Sequence, residues 1–292
     1  MSISRTQEIT SPVEEVFETV RDFHSWPNWS PWLVADPDCK LEVKNVWYSW
    51  KGEICGEGWM EVTDEEENQS VSYDLQFLKP WKSRAEVTIS LAETNGGTEV
   101  TWTMVSSLPF FLFFMKKAME AYIGMDYERG LLMLKDLVET GSVRSSLEFP
   151  GCEPSPSFVG VGIRRKISMD DVEKDMEVHY QRVRKHYPEG VGFSTYEKFD
   201  VVKKEMVYVI GVQLEKTPGV IADGMELVNK PGMEVYVVRH RGCYRHLGNA
   251  WSAGMMHGRA KKFKHSKKFP PFEIYEDENV EEPVVKICLP MK

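Results

Sequence analysis

The spacing of apolar residues changes along this chain, and each change predicts an element. Val13, Val16, Phe17 and Val20 recur at helical intervals, so the segment from Ser11 to about Phe23 is predicted to be a helix with one buried stripe. Ser11-Pro12-Val13-Glu14 supplies its start: Ser11 as N-cap, Pro12 at the first helical position and Glu14 placed for a capping box. A proline-broken loop with three indoles follows, Trp26-Pro27-Asn28-Trp29-Ser30-Pro31-Trp32.

The period then becomes two. Val71, Tyr73, Leu75 and Phe77 alternate with polar residues, as do Val87, Ile89 and Leu91, and again Val100, Trp102 and Met104. These are half-buried antiparallel strands, with Asn95-Gly96-Gly97 as the tight turn between the last two. The stretch from Trp50 to Met60 reads as one glycine-punctuated strand, where missing side chains permit bending or leave room beneath a sheet. From about Phe111 to Thr140 helical spacing returns, with Met115, Met119, Tyr122, Leu131, Leu134, Leu137 and Val138 on the apolar face and Gly141 as the stop. A curved sheet closed by a long helix forms a cup. Alternation puts Tyr73, Phe77 and Trp102 on its inner side, as ligand contacts or simply as core.

Turn formers crowd residues 141–157, so a linker is placed at 144–156 between a unit of residues 1–143 and one of 157–292. In the second unit Phe158 to Ile163 alternates as a strand, and Ser168 with Asp171 caps a helix to about Tyr187. Two strands follow, Phe193 to Phe199 and Met206 to Leu214. The pattern recurs as a strand over Met233 to His240, a helix over Tyr244 to about Phe263, and strands at Phe272 to Tyr275 and Val284 to Leu289. Two β-α-β-β modules related by a pseudo-two-fold would leave a groove between them. The fold class is therefore α+β.

Within the penultimate strand, Pro270-Pro271-Phe272-Glu273-Ile274-Tyr275, Glu273 and Tyr275 share one face and Phe272 and Ile274 the other. One face must be the buried one. If it is that of Glu273, a charge is held where desolvation costs several kcal/mol, which a site tolerates when a cation, donor or reaction needs it. If it is the other, Glu273 points to water from an edge strand.

Charge and cysteine content narrow the functions. The chain of 292 residues carries a net charge of −9; residues 1–150 contribute −12 and residues 151–292 contribute +3. The acidic half lacks the clustered cations that phosphate binding requires, and the basic run Lys261 to Lys268 reads as a solvated helix end, so no nucleic-acid partner is expected. Cys39, Cys55, Cys152, Cys243 and Cys288 form no C-x-x-C pair, which suits reduced thiols in a cytoplasm without a metal site or disulfide framework. The first residues lack an apolar leader core, and the longest apolar run, Leu108 to Met115, is too short to cross a bilayer. A soluble, cytoplasmic protein with no membrane partner and no cofactor is expected, its oligomeric state open.

Several stretches of the first half resemble the SRPBCC or START-like superfamily, also called polyketide cyclase-like. They are Ser11 to Phe17, the indole loop Trp26 to Trp32, Gly56-Glu57-Gly58-Trp59-Met60, Gly97 to Trp102 and Gly130 to Lys135. The resemblance implies a helix-grip fold around an apolar cavity for lipids, polyketides or other hydrophobes, with no shared catalytic motif. In the second half, Tyr236 to Tyr244, Leu247-Gly248-Asn249-Ala250-Trp251, Pro270 to Tyr275 and Val284 to Pro290 resemble the GyrI-like domain, the effector-binding domain of AraC-type regulators. That resemblance implies an aromatic groove holding lipophilic, often cationic compounds, with a buried glutamate that maps onto Glu273. Tyr275 shares its face, and Trp251 and Tyr208 are walls by position, with core packing as the alternative for those two.

The principal functional reading is a binding protein for small lipophilic, cationic or aromatic compounds. A second is a hydrolase of small lipophilic or reactive natural products, with Glu273 as general base and Tyr275 as donor. A third is an effector-sensing transcriptional co-regulator without a DNA-binding domain of its own, since an acidic hydrophobe cup stands where the regulators carry a helix-turn-helix. A fourth, for the first half, is an interaction module acting on a partner.

Overall fold

A computed structural model describes residues 1–107, 114–279 and 281–292. The chain divides into two compact units, Met1–Arg144 and Ser145–Lys292. Among the described residues these contain two large antiparallel sheets and four α-helices, an α+β arrangement of which the first unit is of helix-grip type.

The first unit begins with β1 (Ser2–Ile9) and α1 (Val13–Arg21). Val13, Val16, Phe17 and Val20 form the buried stripe of α1, as their spacing requires. Its start differs from expectation: Pro12 is the N-cap residue, without a side-chain cap, and neither Ser11 nor Glu14 forms the expected box. The Ser11 carbonyl instead accepts from the Thr98 hydroxyl at 2.9 Å, tying the entry of the helix to the sheet.

Six more strands follow: β2 (Lys40–Lys44), β3 (Trp47–Lys51), β4 (Glu57–Glu66), β5 (Ser70–Lys79), β6 (Ser83–Thr94) and β7 (Gly97–Ser106). They join β1 in one sheet of order β1-β7-β6-β5-β4-β3-β2. The expected single strand from Trp50 to Met60 is thus two strands, β3 and β4, with a turn between them. Gly56 has φ +80°, and the Asp36 carboxylate accepts the backbone N–H groups of Ile54 and Cys55 at 2.8 and 3.0 Å, so the glycines reverse the chain here.

α2 (Lys116–Thr140) ends at Gly141, which is left-handed at φ +79°. The start expected near Phe111 lies outside the described residues. Tyr127, Leu131 and Leu134 are buried, whereas Met115 and Tyr122, expected inward, are exposed. A Cβ on Gly130 would come within 2.7 Å of the Trp102 ring, so glycine here lets the helix approach the indole.

The second unit opens with β8 (Ser145–Ser155), which corrects the linker expected at 144–156. β8 pairs antiparallel with β13 (Met233–Gly242) at the edge of the second sheet, with a register shift between Val237 and Arg239. Pro150, Pro154 and Gly151 at φ +84° are the residues that resembled a loop; an edge strand with a bulge accepts them, because its outer N–H groups need no ladder partner. The remaining elements are β9 (Phe158–Ser168), α3 (Val172–His186), β10 (Gly192–Asp200), β11 (Glu205–Leu214), β12 (Glu226–Lys230), α4 (Leu247–Arg259), β14 (Phe272–Asp277) and β15 (Val284–Pro290). Their order is β12-β9-β11-β10-β14-β15-β13-β8, with β10 and β14 side by side at the centre. β12 has no counterpart among the expected elements.

Candidate ligand site

The centre of the second sheet decides where Glu273 points. Cross-strand register aligns Ile210 of β11, Ser194 of β10, Glu273 of β14, Ile287 of β15 and Val238 of β13 in one row. Opposed residues share a face. Ile210 packs with Met176 of α3, and Ile287 and Val238 pack with Ala250 and Trp251 of α4. Glu273 therefore sits on the helix-covered face, in the row between the two helix-packed clusters, and is 1% exposed. The sequence left one face of this strand to water. In the structure the other face is not left to water either: Phe272 is buried and Ile274 half-buried there, beside Val235, Val237 and Cys288 of the same sheet.

The carboxylate is held by neutral donors. The Ser194 hydroxyl donates to Oε2 at 2.7 Å, the Trp251 indole N–H to Oε1 at 2.6 Å and the Tyr275 hydroxyl to Oε2 at 3.2 Å. The nearby Tyr196 ring adds a polar hydroxyl that also favours the ionised acid. Burial pushes the Glu273 carboxyl above the usual carboxylate range, and these donors pull it back down. Among the described residues no lysine or arginine forms an ion pair with it, although surface acids such as Glu276 and Glu278 have arginine partners.

Rings surround this acid. Tyr196 meets Trp251 edge-on at 5.0 Å, and Tyr275 meets Tyr180 at 5.5 Å and Tyr244 at 6.4 Å, also edge-on. Trp251, Tyr180 and Tyr196 are half-buried, and Tyr244 is 44% exposed, so this cluster leads from the acid toward solvent. Burial and the nearby Glu278, Glu273 and Asp277 carboxylates push the Tyr244 hydroxyl up to about 12. Tyr180 donates to Glu278 at 2.8 Å and accepts from Arg184 at 3.0 Å.

Of the residues singled out from the sequence, Glu273, Tyr275 and Trp251 are brought together. Tyr208 is buried one step away: it lies opposite Tyr196, but its hydroxyl donates to Asp175, which also binds Arg165. Ser194, Tyr196, Tyr180 and Tyr244 were not singled out. Ser194 and Tyr196 sit two apart on β10, so period-two spacing could have put them on one face, yet only the pairing of β10 with β14 sets that face against Glu273.

In the first unit Tyr73 and Trp102 lie in a dense aromatic core and Phe77 packs at its margin. Trp102 stacks on Tyr127 at 4.1 Å and meets Trp29 and Trp26 edge-on, while the Tyr73 hydroxyl donates to the Val20 carbonyl at 2.8 Å. The Trp32 indole donates to Asp126, which also pairs with Arg129, fixing the indole loop to α2. A surface concavity of about 360 Å³ in this unit, lined by Thr10, Pro12 and Gly97 among others, carries only the exposed carboxylates Glu14 and Glu93. Among the described residues no helix is long and apolar enough to cross a membrane.

A bent antiparallel sheet with a long helix following it defines residues 1–139 as a helix-grip unit. These residues match the family described as polyketide cyclase/dehydrase and lipid transport, a description that points to small hydrophobic ligands. Three solved structures resemble the chain in part. A protein from Mesorhizobium loti is 17% identical over 48% of this chain and 97% of its own, with a TM-score of 0.39. The Aha1 dimer from Colwellia psychrerythraea is 19% identical over 48% and 98%, with a TM-score of 0.38. CalU16 from Micromonospora echinospora is 18% identical over 47% and 73%, with a TM-score of 0.34. No curated protein matches the chain.

Proposed function

We propose that the protein binds a small lipophilic compound, and that its second unit selects a flat cation through Glu273. The observation that carries this reading is a 1%-exposed carboxylate whose hydrogen-bond partners are all neutral. Such a charge lacks the counter-ion that buried carboxylates usually have, and a ligand cation supplies it. Trp251, Tyr196, Tyr275 and Tyr244 supply aromatic rings, and a ring face presented to the cation is worth about 0.5–2 kcal/mol. The order β9-β11-β10 followed by β14-β15-β13 supports two GyrI-like modules meeting at β10 and β14, with Glu273 at the junction. The first unit, matched to a family described in part as lipid transport, is assigned a hydrophobic ligand on the same reading.

Titration calorimetry of a quaternary lipophilic cation against its neutral isostere, with wild type and Glu273→Gln, tests the assignment. Wild type should prefer the cation by at least about tenfold, or about 1.4 kcal/mol, and the variant should lose that preference. Equal affinities in both proteins end the charge-selection reading.

A second reading, hydrolysis with Glu273 as general base, rests on the raised pKa of its carboxyl and the Tyr275 hydroxyl 3.2 Å away. It demands turnover that disappears in Glu273→Gln while binding survives. Binding without turnover across a panel of lipophilic esters, amides and epoxides favours the first reading.

A further inference from the structure

Cys39 and Cys55 stand sixteen positions apart in the chain, yet their sulfurs lie 3.2 Å apart. Buried Asp36 arranges this. Its Oδ2 accepts the N–H groups of Ile54 and Cys55, which holds the β3–β4 turn against the segment entering β2, the edge strand of the first sheet. Both thiols are half-buried and so reachable by a small reagent.

We propose that Cys39 and Cys55 form a redox-responsive clasp, a dithiol that closes to a disulfide. The sulfurs need to approach by about 1.2 Å to reach the disulfide bond length of about 2.05 Å. The donor geometry gives the two thiols different parts. Burial pushes both thiols up, but the Cys55 S–H that points at the Cys39 sulfur offsets this at Cys39, whereas at Cys55 the neighbouring Cys39 and the Asp36 carboxylate push further the same way, which makes Cys39 the first of the pair to ionise.

The oxidant is a low-molecular-weight disulfide of the glutathione class. Cys39 releases its proton to solvent and its thiolate attacks one sulfur of that disulfide, forming a mixed disulfide and expelling one thiolate, which takes up a proton. Cys55 then loses its proton and attacks the Cys39 sulfur. The Cys39–Cys55 bond forms, and the second small thiolate leaves and is protonated. Two cysteines are oxidised by two electrons in all, and the external disulfide is reduced to two thiols. Asp36 Oδ2 already accepts two N–H groups, which makes the sulfur pair, rather than the Asp36-Cys39-Cys55 triad, the reacting unit.

The test is peptide mapping of the full chain after incubation with oxidised glutathione. A Cys39–Cys55 cross-linked peptide is expected, together with a rise of about 5–10 °C in the thermal midpoint that dithiothreitol reverses. Cys55→Ser should stop at glutathione on Cys39, and Cys39→Ser should leave Cys55 free. Full alkylation of both thiols after incubation overturns the proposal, as does linkage of either one to Cys152. Protection of both thiols in the reduced protein by one equivalent of Zn(II) alone overturns it in favour of a metal site.

Discussion

The indole N–H of Trp251 donates to Oε1 of Glu273 at 2.6 Å, so a residue of α4 holds an acid of β14 across 22 positions of sequence. The bond does two things. It satisfies one oxygen of a buried carboxylate, and it fixes the half-buried indole beside the acid.

Replacing Trp251 by Phe keeps a ring near Tyr196 and removes the donor. A hydrogen bond to a charged group contributes about 1.5–3 kcal/mol, so denaturant unfolding at neutral pH should show a loss of about that size. The loss should shrink as the pH falls and Glu273 takes up a proton. A pH-independent loss would mean that the indole acts through packing alone.

The pH profile of stability carries the signature of Glu273 itself. Its carboxyl titrates above the ordinary value of 4.5 in the folded protein, so the folded state binds the proton more tightly than the unfolded state. Its contribution is fully present below about pH 4.5 and is lost as the pH rises through the folded value. The stability of wild type minus that of Glu273→Gln should therefore fall with rising pH and then level off. A permanent cation should bind more tightly over the same window, as the acid ionises. A flat difference curve contradicts the buried-acid account.

His240 has the opposite sign. It is fully buried, its Nε2 lies 3.1 Å from the Ser145 hydroxyl, its Nδ1 has no hydrogen-bond partner among the described residues, and burial lowers its pKa from 6.5 to about 4. The unfolded chain takes up the proton first, so stability is present above about pH 6.5 and is lost as the pH falls toward 4, by on the order of 3 kcal/mol. His240→Gln should reduce this acid sensitivity in thermal melts recorded from pH 7 to 4. An unchanged acid limb assigns the sensitivity elsewhere.

Trp102 is 2% exposed and stacked on Tyr127. Trp102→Ala should cost about 3–5 kcal/mol by removing a core ring. Trp81→Ala, at a position 65% exposed, should stay within about 0.5 kcal/mol. Chemical denaturation compares the two, and similar costs would contradict a filled aromatic core.

Much of the fold was legible because period is a local property. The buried stripe of α1, the alternation of β5, β6 and β7, and the stop at Gly141 are each written within a short window. Errors arose where a local signal had two tertiary solutions. Pro150 and Gly151 suit a loop or a bulged edge strand, and the glycines between Trp50 and Met60 suit a bent strand or a reversal. The site was half legible. Glu273 and Tyr275 share a face by alternation, but Ser194 is 79 positions away and reaches Oε2 only through the pairing of β10 with β14.

The residues alone determined that an acid would stand in an apolar strand with a tyrosine on its side, because alternation in an extended chain is set by backbone geometry. They also determined a wealth of aromatic side chains for two cores. Tertiary structure alone decided that the acid turns inward and that its hydrogen-bond partners are neutral. It likewise decided that two distant thiols meet beside Asp36. Register and sheet order are settled by burying the whole apolar surface at once, and no short window of sequence contains that sum.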